Sequence, residues 1–251
     1  VEIKAADKLA AKSWVVASDL ASLNRKLPST ELVLVAHKWS SGGEGAGPGD
    51  PGELRIIYKA EYRSCSIMRA IAAVLEYDLA HKYNDDKRFA ILSAELLAEP
   101  ISGASSIWNV TKTLPAGSRE GQNEDNIVNI SVVNCLSDRA NPCVVVMLIG
   151  VDPDQVDLGK VKMPDLREGY VRNSGRRSVW KFQPLDSGGF SLSVCMCQRV
   201  LEPEMPWSAA QEVAHFTKAF EEHATQSTEL SKRLQRSRRK DFYEELGAQL
   251  L

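Results

Sequence analysis

Leu54-Arg55-Ile56-Ile57-Tyr58-Lys59-Ala60-Glu61-Tyr62 reads as a strand, and at Ser64, a good helix N-cap residue, the pattern changes. Beyond it Ile67, Ile71, Val74, Leu75 and Leu79 share one helical face, which predicts a helix over residues 64–83. That helix should stop at Tyr83-Asn84-Asp85-Asp86, because Asn and Asp favour turns. Upstream, residues 31–39 form a second short run rich in branched side chains. Residues 40–52 between the two strands hold six glycines and two prolines, the composition of a mobile loop.

Further from this strand-to-helix junction, most segments again read as strands. Residues 107–114 look half-exposed, and 127–136 with 142–151 look like an antiparallel pair joined by the turn-forming residues 137–141. Residues 178–183 and 189–200 follow, the latter with Phe190, Leu192 and Val194 on one face and Cys195 and Cys197 on the other. The periodicity of residues 89–97 leaves strand and helix both open. Residues 5–23 fit an amphipathic helix through Leu9, Trp14, Val15, Leu20 and Leu23. After Pro203 and Pro206, Ser208 and Gln211 make a capping box ahead of Val213, Phe216 and Phe220, which predicts a helix over 209–223. One last helix is expected from Thr228, with Leu230, Leu234, Phe242, Tyr243, Leu246 and Leu250 as its apolar positions. The expected fold is therefore α+β: a mostly antiparallel sheet or β-sandwich core, one central helix at 64–83, and C-terminal helices. The expected division is an α+β core over 1–206 and a helical segment over 207–251.

Composition narrows the function classes. The 251 residues are 43% apolar and 25% charged, with Lys+Arg 31 against Asp+Glu 33, as in ordinary globular chains. The longest apolar run, Val144 to Gly150, falls far short of the roughly 18–20 residues that a membrane span needs, so no transmembrane segment is expected. Five cysteines without dense, even spacing read as reduced thiols, and Val1 to Asp7 lacks a signal-peptide pattern. Cytoplasmic or nuclear residence is the expectation.

Motifs for cofactors and metals are missing. The glycines of 40–52 precede no Gly-Lys-Ser/Thr, so no phosphate cradle and no cofactor is expected. Cys195-x-Cys197 lacks zinc-knuckle spacing, and His37, His81, His215 and His223 are scattered, so no metal is expected. Cys65 stands where strand becomes helix, a position that can lower a thiol pKa. Cys65-Ser66-Ile67-Met68-Arg69-Ala70-Ile71-Ala72 resembles the nucleophile helix of ovarian-tumour-type cysteine proteases, although Tyr62-Arg63-Ser64 stands where that family has Asp-Gly-x. The resemblance implies a protease with Cys65 as nucleophile and His215, which precedes Phe216, as base.

Two basic clusters complete the candidates. Lys232, Arg233, Arg236, Arg238, Arg239 and Lys240 fall within nine residues and could meet nucleic-acid phosphates or anionic lipid. Arg167, Arg172, Arg176 and Arg177 form a second basic loop around Tyr170. The order of strand 54–62, alanine-containing helix 64–83 and Lys87-Arg88-Phe89-Ala90-Ile91-Leu92 resembles part of a rhabdovirus matrix protein. That resemblance implies a viral assembly protein, located in the virion, that self-associates and contacts ribonucleoprotein and anionic membrane. The favoured expectation is accordingly a non-enzymatic structural or assembly protein, a homo-oligomer contacting RNA or anionic lipid, with the cysteine protease as alternative.

Overall fold

The computed structural model describes residues 14–27, 29–40, 52–83, 91–98, 105–113, 123–152, 163–172, 175–200 and 208–250. In chain order the elements are β1 (Val15–Val16), α1 (Leu20–Asn24), β2 (Thr30–Ser40), β3 (Gly52–Tyr62), α2 (Ile67–Leu75), a 3-10 turn (Tyr77–Lys82), β4 (Ile91–Ala98) and β5 (Ser105–Thr113). Then come β6 (Asn123–Asn134), β7 (Val144–Val151), β8 (Tyr170–Arg172), β9 (Arg177–Pro184), β10 (Phe190–Val200), α3 (Ala209–Gln226), α4 (Thr228–Arg236) and α5 (Lys240–Gln249).

Alternation along β3 shows how the sheet is two-faced. Leu54, Ile56, Tyr58, Ala60 and Tyr62 are buried, while the residues between them are exposed or half-buried. A strand whose side chains point alternately to opposite faces needs cover on only one of them. The same period appears in β7, where Val144, Val146 and Leu148 are buried, and in β10, where Phe190, Leu192 and Val194 are buried and Cys195 is exposed. Among the described residues these strands form a single sheet in the order β1-β2-β3-β10-β9-β7-β6-β5-β4, all antiparallel, with β8 added parallel to β6. The arrangement is one sheet covered by helices, not a sandwich of two.

The tight β9–β10 turn depends on backbone freedom at Gly189, which has φ +75° and sits where a Cβ would collide with the Tyr62 carbonyl oxygen. Its position against Tyr62 lets β10 lie beside β3, with Phe190 opposite Tyr62. The two rings stack at 4.8 Å, so the last strand closes on one that precedes it by well over a hundred residues.

Helices differ from expectation in three places. The helix expected over 64–83 is shorter: α2 ends at Leu75, and Glu76 leaves helical geometry before the 3-10 turn begins. Glu76 is drawn into a buried cluster, where its carboxylate accepts from the Tyr243 hydroxyl at 2.8 Å and lies 3.6 Å from Arg239. The helix laid across the inner face of the sheet is α3, so the single central helix gives way to a C-terminal one. The last expected helix is two, α4 and α5, with Ser237 Oγ accepting from the Arg239 backbone N–H at the break. Near the start, Asp19 caps α1 by accepting from the Ser22 N–H, and β1 precedes it, in place of a continuous helix to residue 23. Residues 1–13 and 41–51, which carry the rest of that helix and nearly all of the Gly/Pro loop, lie outside the described residues.

Residues 91–98 form an edge strand. Its register against β5 shifts between Ile91 and Ser93 and again between Leu96 and Ala98, which breaks the period of two and explains why spacing alone could not separate strand from helix. Val213, Phe220, Leu230, Tyr243 and Leu246 from the C-terminal helices share one buried core with the sheet residues.

Candidate functional site

The C-terminal helix meets the sheet through aromatic rings. Phe216 and Phe220, one turn apart on α3, stack at 5.7 Å, and both lie against Trp180 of β9 at 5.7 and 6.0 Å. Phe220 also packs on Tyr62, and Phe216 on Tyr58, both inward residues of β3. Tyr83, just after the 3-10 turn, reaches both phenyl rings, and its hydroxyl donates to the Ala73 carbonyl at 3.0 Å. Edge-on and offset contacts of this kind add to the gain from burying the rings.

Short of complete closure, the same surfaces leave a cavity of about 100 Å³. Its apolar wall comes from Tyr58, Val74, Trp180, Met196, Val213 and Phe216. Two hydroxyls in this wall, those of Tyr58 and Tyr77, are buried and have no hydrogen-bond partner among the described residues. Such groups are uncommon in folded proteins because losing water without a replacement partner costs about 1–3 kcal/mol. Burial, together with the nearby Tyr62 and Tyr83 hydroxyls, holds Tyr58 well above the usual phenol pKa, so it is a neutral donor. The Trp180 N–H is already used, donating to Ser178 Oγ at 3.1 Å.

One end of the cavity is charged. Lys112 of β5 continues the inward set of Trp108 and Val110, and its ammonium lies 2.6 Å from the Glu124 carboxylate of β6, with side chains 5% and 3% exposed. Register places these two residues directly opposite each other. Burial lowers the Lys112 pKa, Glu124 opposes the shift, and the Arg176 guanidinium adds to it. Arg176, which precedes β9, lines this end too, while Glu212 and His215 of α3 also border the cavity.

The expected site residues are dispersed. Cys65 is buried, and burial with the nearby Glu221 carboxylate pushes its thiol up to about 12, the reverse of an activated nucleophile. The charges acting on that thiol are Glu221 and Arg69, whereas His215 sits six residues before Glu221 on α3, about 9 Å along the helix axis. Cys65 and His215 do not form a protease pair.

The basic tract is largely engaged within the chain. Arg239 is buried, donates to the Leu75 carbonyl at 2.8 Å and lies beside Glu76. Arg233 pairs with Asp78 at 2.7 Å and approaches Glu76 and Glu229, Lys232 pairs with Glu229, and Lys240 with Glu244. Arg236 and Arg238 remain on the rim of a surface groove that includes Leu96 and Trp108. In the second cluster Arg167 lies over the Tyr170 ring, Arg172 pairs with Asp125, and Arg177 opens β9 on the exposed side; only Arg176 reaches the cavity. The cavity residues overlooked in the sequence are Tyr58, Tyr77, Trp180 and Lys112. A lysine at an inward position of an alternating strand was the available signal for the last.

Among the described residues no helix is long and apolar enough to cross a membrane, and no cluster of three metal-ligating side chains occurs. No protein-family model matches the chain, and no curated protein matches it by sequence. The fold is similar to that of a STAR-related lipid transfer protein from Xanthomonas axonopodis, at 17% identity and TM-score 0.53, covering 85% of this chain and 99% of that one. Human StAR-related lipid transfer protein 5 matches at 11% identity and TM-score 0.45, over 94% of this chain and 96% of that one. Because the first likeness spans most of the chain, it overturns the resemblance of residues 54–92 to a viral matrix protein, which rested on one strand and one helix. The viral matrix assembly function drawn from it is corrected with it, as is the protease alternative.

Proposed function

We propose that the protein binds a small, predominantly apolar molecule of lipid character in the cavity between the inner face of the sheet and α3, as a binding protein and not a catalyst. The observation that carries this reading is the aromatic cavity with the unpartnered Tyr58 and Tyr77 hydroxyls. Apolar walls with a few oriented polar groups are what small-molecule sites consist of. The fold's likeness to a protein named for lipid transfer supports the same reading. A volume of about 100 Å³ is below the roughly 150 Å³ of an apolar cavity that holds benzene, so the site must widen to admit a ligand, which favours a single-chain or compact ligand over a two-chain lipid.

Titration with N-phenyl-1-naphthylamine, a neutral probe that brightens in apolar surroundings, tests this. One saturable site is expected, with energy transfer from Trp180, and its loss in Val213→Trp, where the new ring fills the space. Absence of saturable binding, or undiminished binding by a folded Val213→Trp protein, contradicts the reading.

A further inference from the structure

At the charged end of the cavity two cations, Lys112 and Arg176, stand with the Glu124 carboxylate, and Glu212 borders the cavity from α3. Lys112 and Glu124 neutralise each other at 2.6 Å, on paired strands and almost without solvent. Arg176 borders the same space, close enough to lower the Lys112 pKa, and has no carboxylate at ion-pair distance among the described residues. Glu212 lies at the α3 side of the cavity, half-buried and engaged in a contact of its own, and forms no ion pair with Arg176. His215 beside it is exposed. A guanidinium facing a low-dielectric space attracts an anion strongly, and its planar fork matches a carboxylate through two parallel hydrogen bonds.

Neutral donors lie at the same end. Tyr77 and Tyr83 line the same cavity as Arg176, and the Tyr77 hydroxyl is buried there without a hydrogen-bond partner among the described residues. Tyr83 itself is committed to the Ala73 carbonyl, leaving Tyr77 with a proton to donate. Behind these groups the wall turns apolar through Val74, Trp180 and Phe216.

We propose that the ligand is a single-chain carboxylate, a fatty-acid-like amphiphile, with its anionic group held by Arg176 and the Tyr77 hydroxyl and its chain lying along the apolar wall of Val74, Trp180 and Phe216. Resting on the cavity being a binding site, the inference adds the charge of the occupant. The Lys112–Glu124 pair sets the local field without being consumed, since each partner already satisfies the other.

Isothermal titration of the full chain with decanoate, decan-1-ol and decyl phosphate distinguishes the possibilities. Decanoate is expected to bind at least tenfold more tightly than decan-1-ol. Arg176→Gln should abolish that preference by weakening decanoate far more than decan-1-ol, and Arg176→Lys should keep part of it; circular dichroism and the thermal midpoint report that each variant is folded. Equal affinity for acid and alcohol, or a preference that survives in Arg176→Gln, overturns the proposal while the binding function stands. Tighter binding of decyl phosphate than of decanoate overturns the carboxylate assignment in favour of a phosphate headgroup. Failure of all three ligands together with the neutral probe overturns the binding function itself.

Discussion

Phe216 and Phe220 stand on the same face of α3, yet their substitutions should differ in kind. Phe220 is completely buried and packed by Tyr62, Tyr83, Trp180 and Phe216, so Phe220→Ala removes a ring from a filled volume. Losses for such truncations run at roughly 3–5 kcal/mol, the transfer cost of the ring plus the void it leaves. At about 2–4 °C per kcal/mol for a chain of this size, the midpoint of thermal unfolding should fall by roughly 10 °C or more. Phe216 is half-buried and already borders the cavity, so Phe216→Ala enlarges an existing space and should cost only about 1–2 kcal/mol. Urea denaturation followed by tryptophan fluorescence measures both losses, with equal m-values showing that the same surface is exposed. The naphthylamine titration measures the second effect: Phe216→Ala should retain the probe and accept bulkier relatives of it. If Phe216→Ala proves as destabilising as Phe220→Ala, or loses the probe while folded, the placement of α3 over the cavity is wrong.

Three other outcomes follow from the same contacts. His223, buried against Tyr83, has its pKa lowered from 6.5 to about 4 by burial, with Arg69, His81 and Lys82 adding to the shift. Below pH 6.5 the unfolded chain therefore binds a proton that the folded chain refuses, so stability falls as pH drops through this range, by about 2 kcal/mol between pH 6.5 and 5. Urea titrations across these pH values should show that slope in the wild type and not in His223→Phe. Arg239→Met should cost roughly 3–5 kcal/mol because it strands the Glu76 carboxylate in the interior, whereas Arg236→Ala and Arg238→Ala should each stay within about 0.5 kcal/mol. Similar losses at all three positions would contradict the division of the basic tract into packed and surface cations. Thiol titration with an aromatic disulfide at pH 8 should modify the exposed Cys195 in the native protein and reach Cys65 only on unfolding, since its pKa is pushed up to about 12. Rapid native-state modification of Cys65 would refute that burial.

Where burial followed a regular period, the sequence was legible. The strands β2, β3, β9 and β10, the β6–β7 hairpin and the start of α3 lie close to where alternation and the capping residues put them. Long-range pairing left no local trace: nothing near Tyr62 announces that Phe190 will stack on it. Charges misled for a related reason. Arg239 looks like any other cation of its run, but only the fold brings Leu75 and Glu76 to it and turns a surface signal into a packing contact. The cavity is assembled from β3, β4, β5, β7, β9, β10, α2, the 3-10 turn and α3, so its residues are scattered and none carries a motif. Arg176, singled out only as part of a basic loop, became informative once Lys112 and Glu124 were seen to balance each other beside it.

A crystal structure of the protein soaked with 10-bromodecan-1-ol, a neutral chain whose bromine is located by its anomalous scattering, tests the central claim most directly. The account predicts one bromine site in the cavity lined by Val74, Trp180 and Phe216, on the inner face of the sheet. Bromine found only on the outer face, beside the exposed Val179 and Ile149, or no ordered site at saturating ligand, would contradict it.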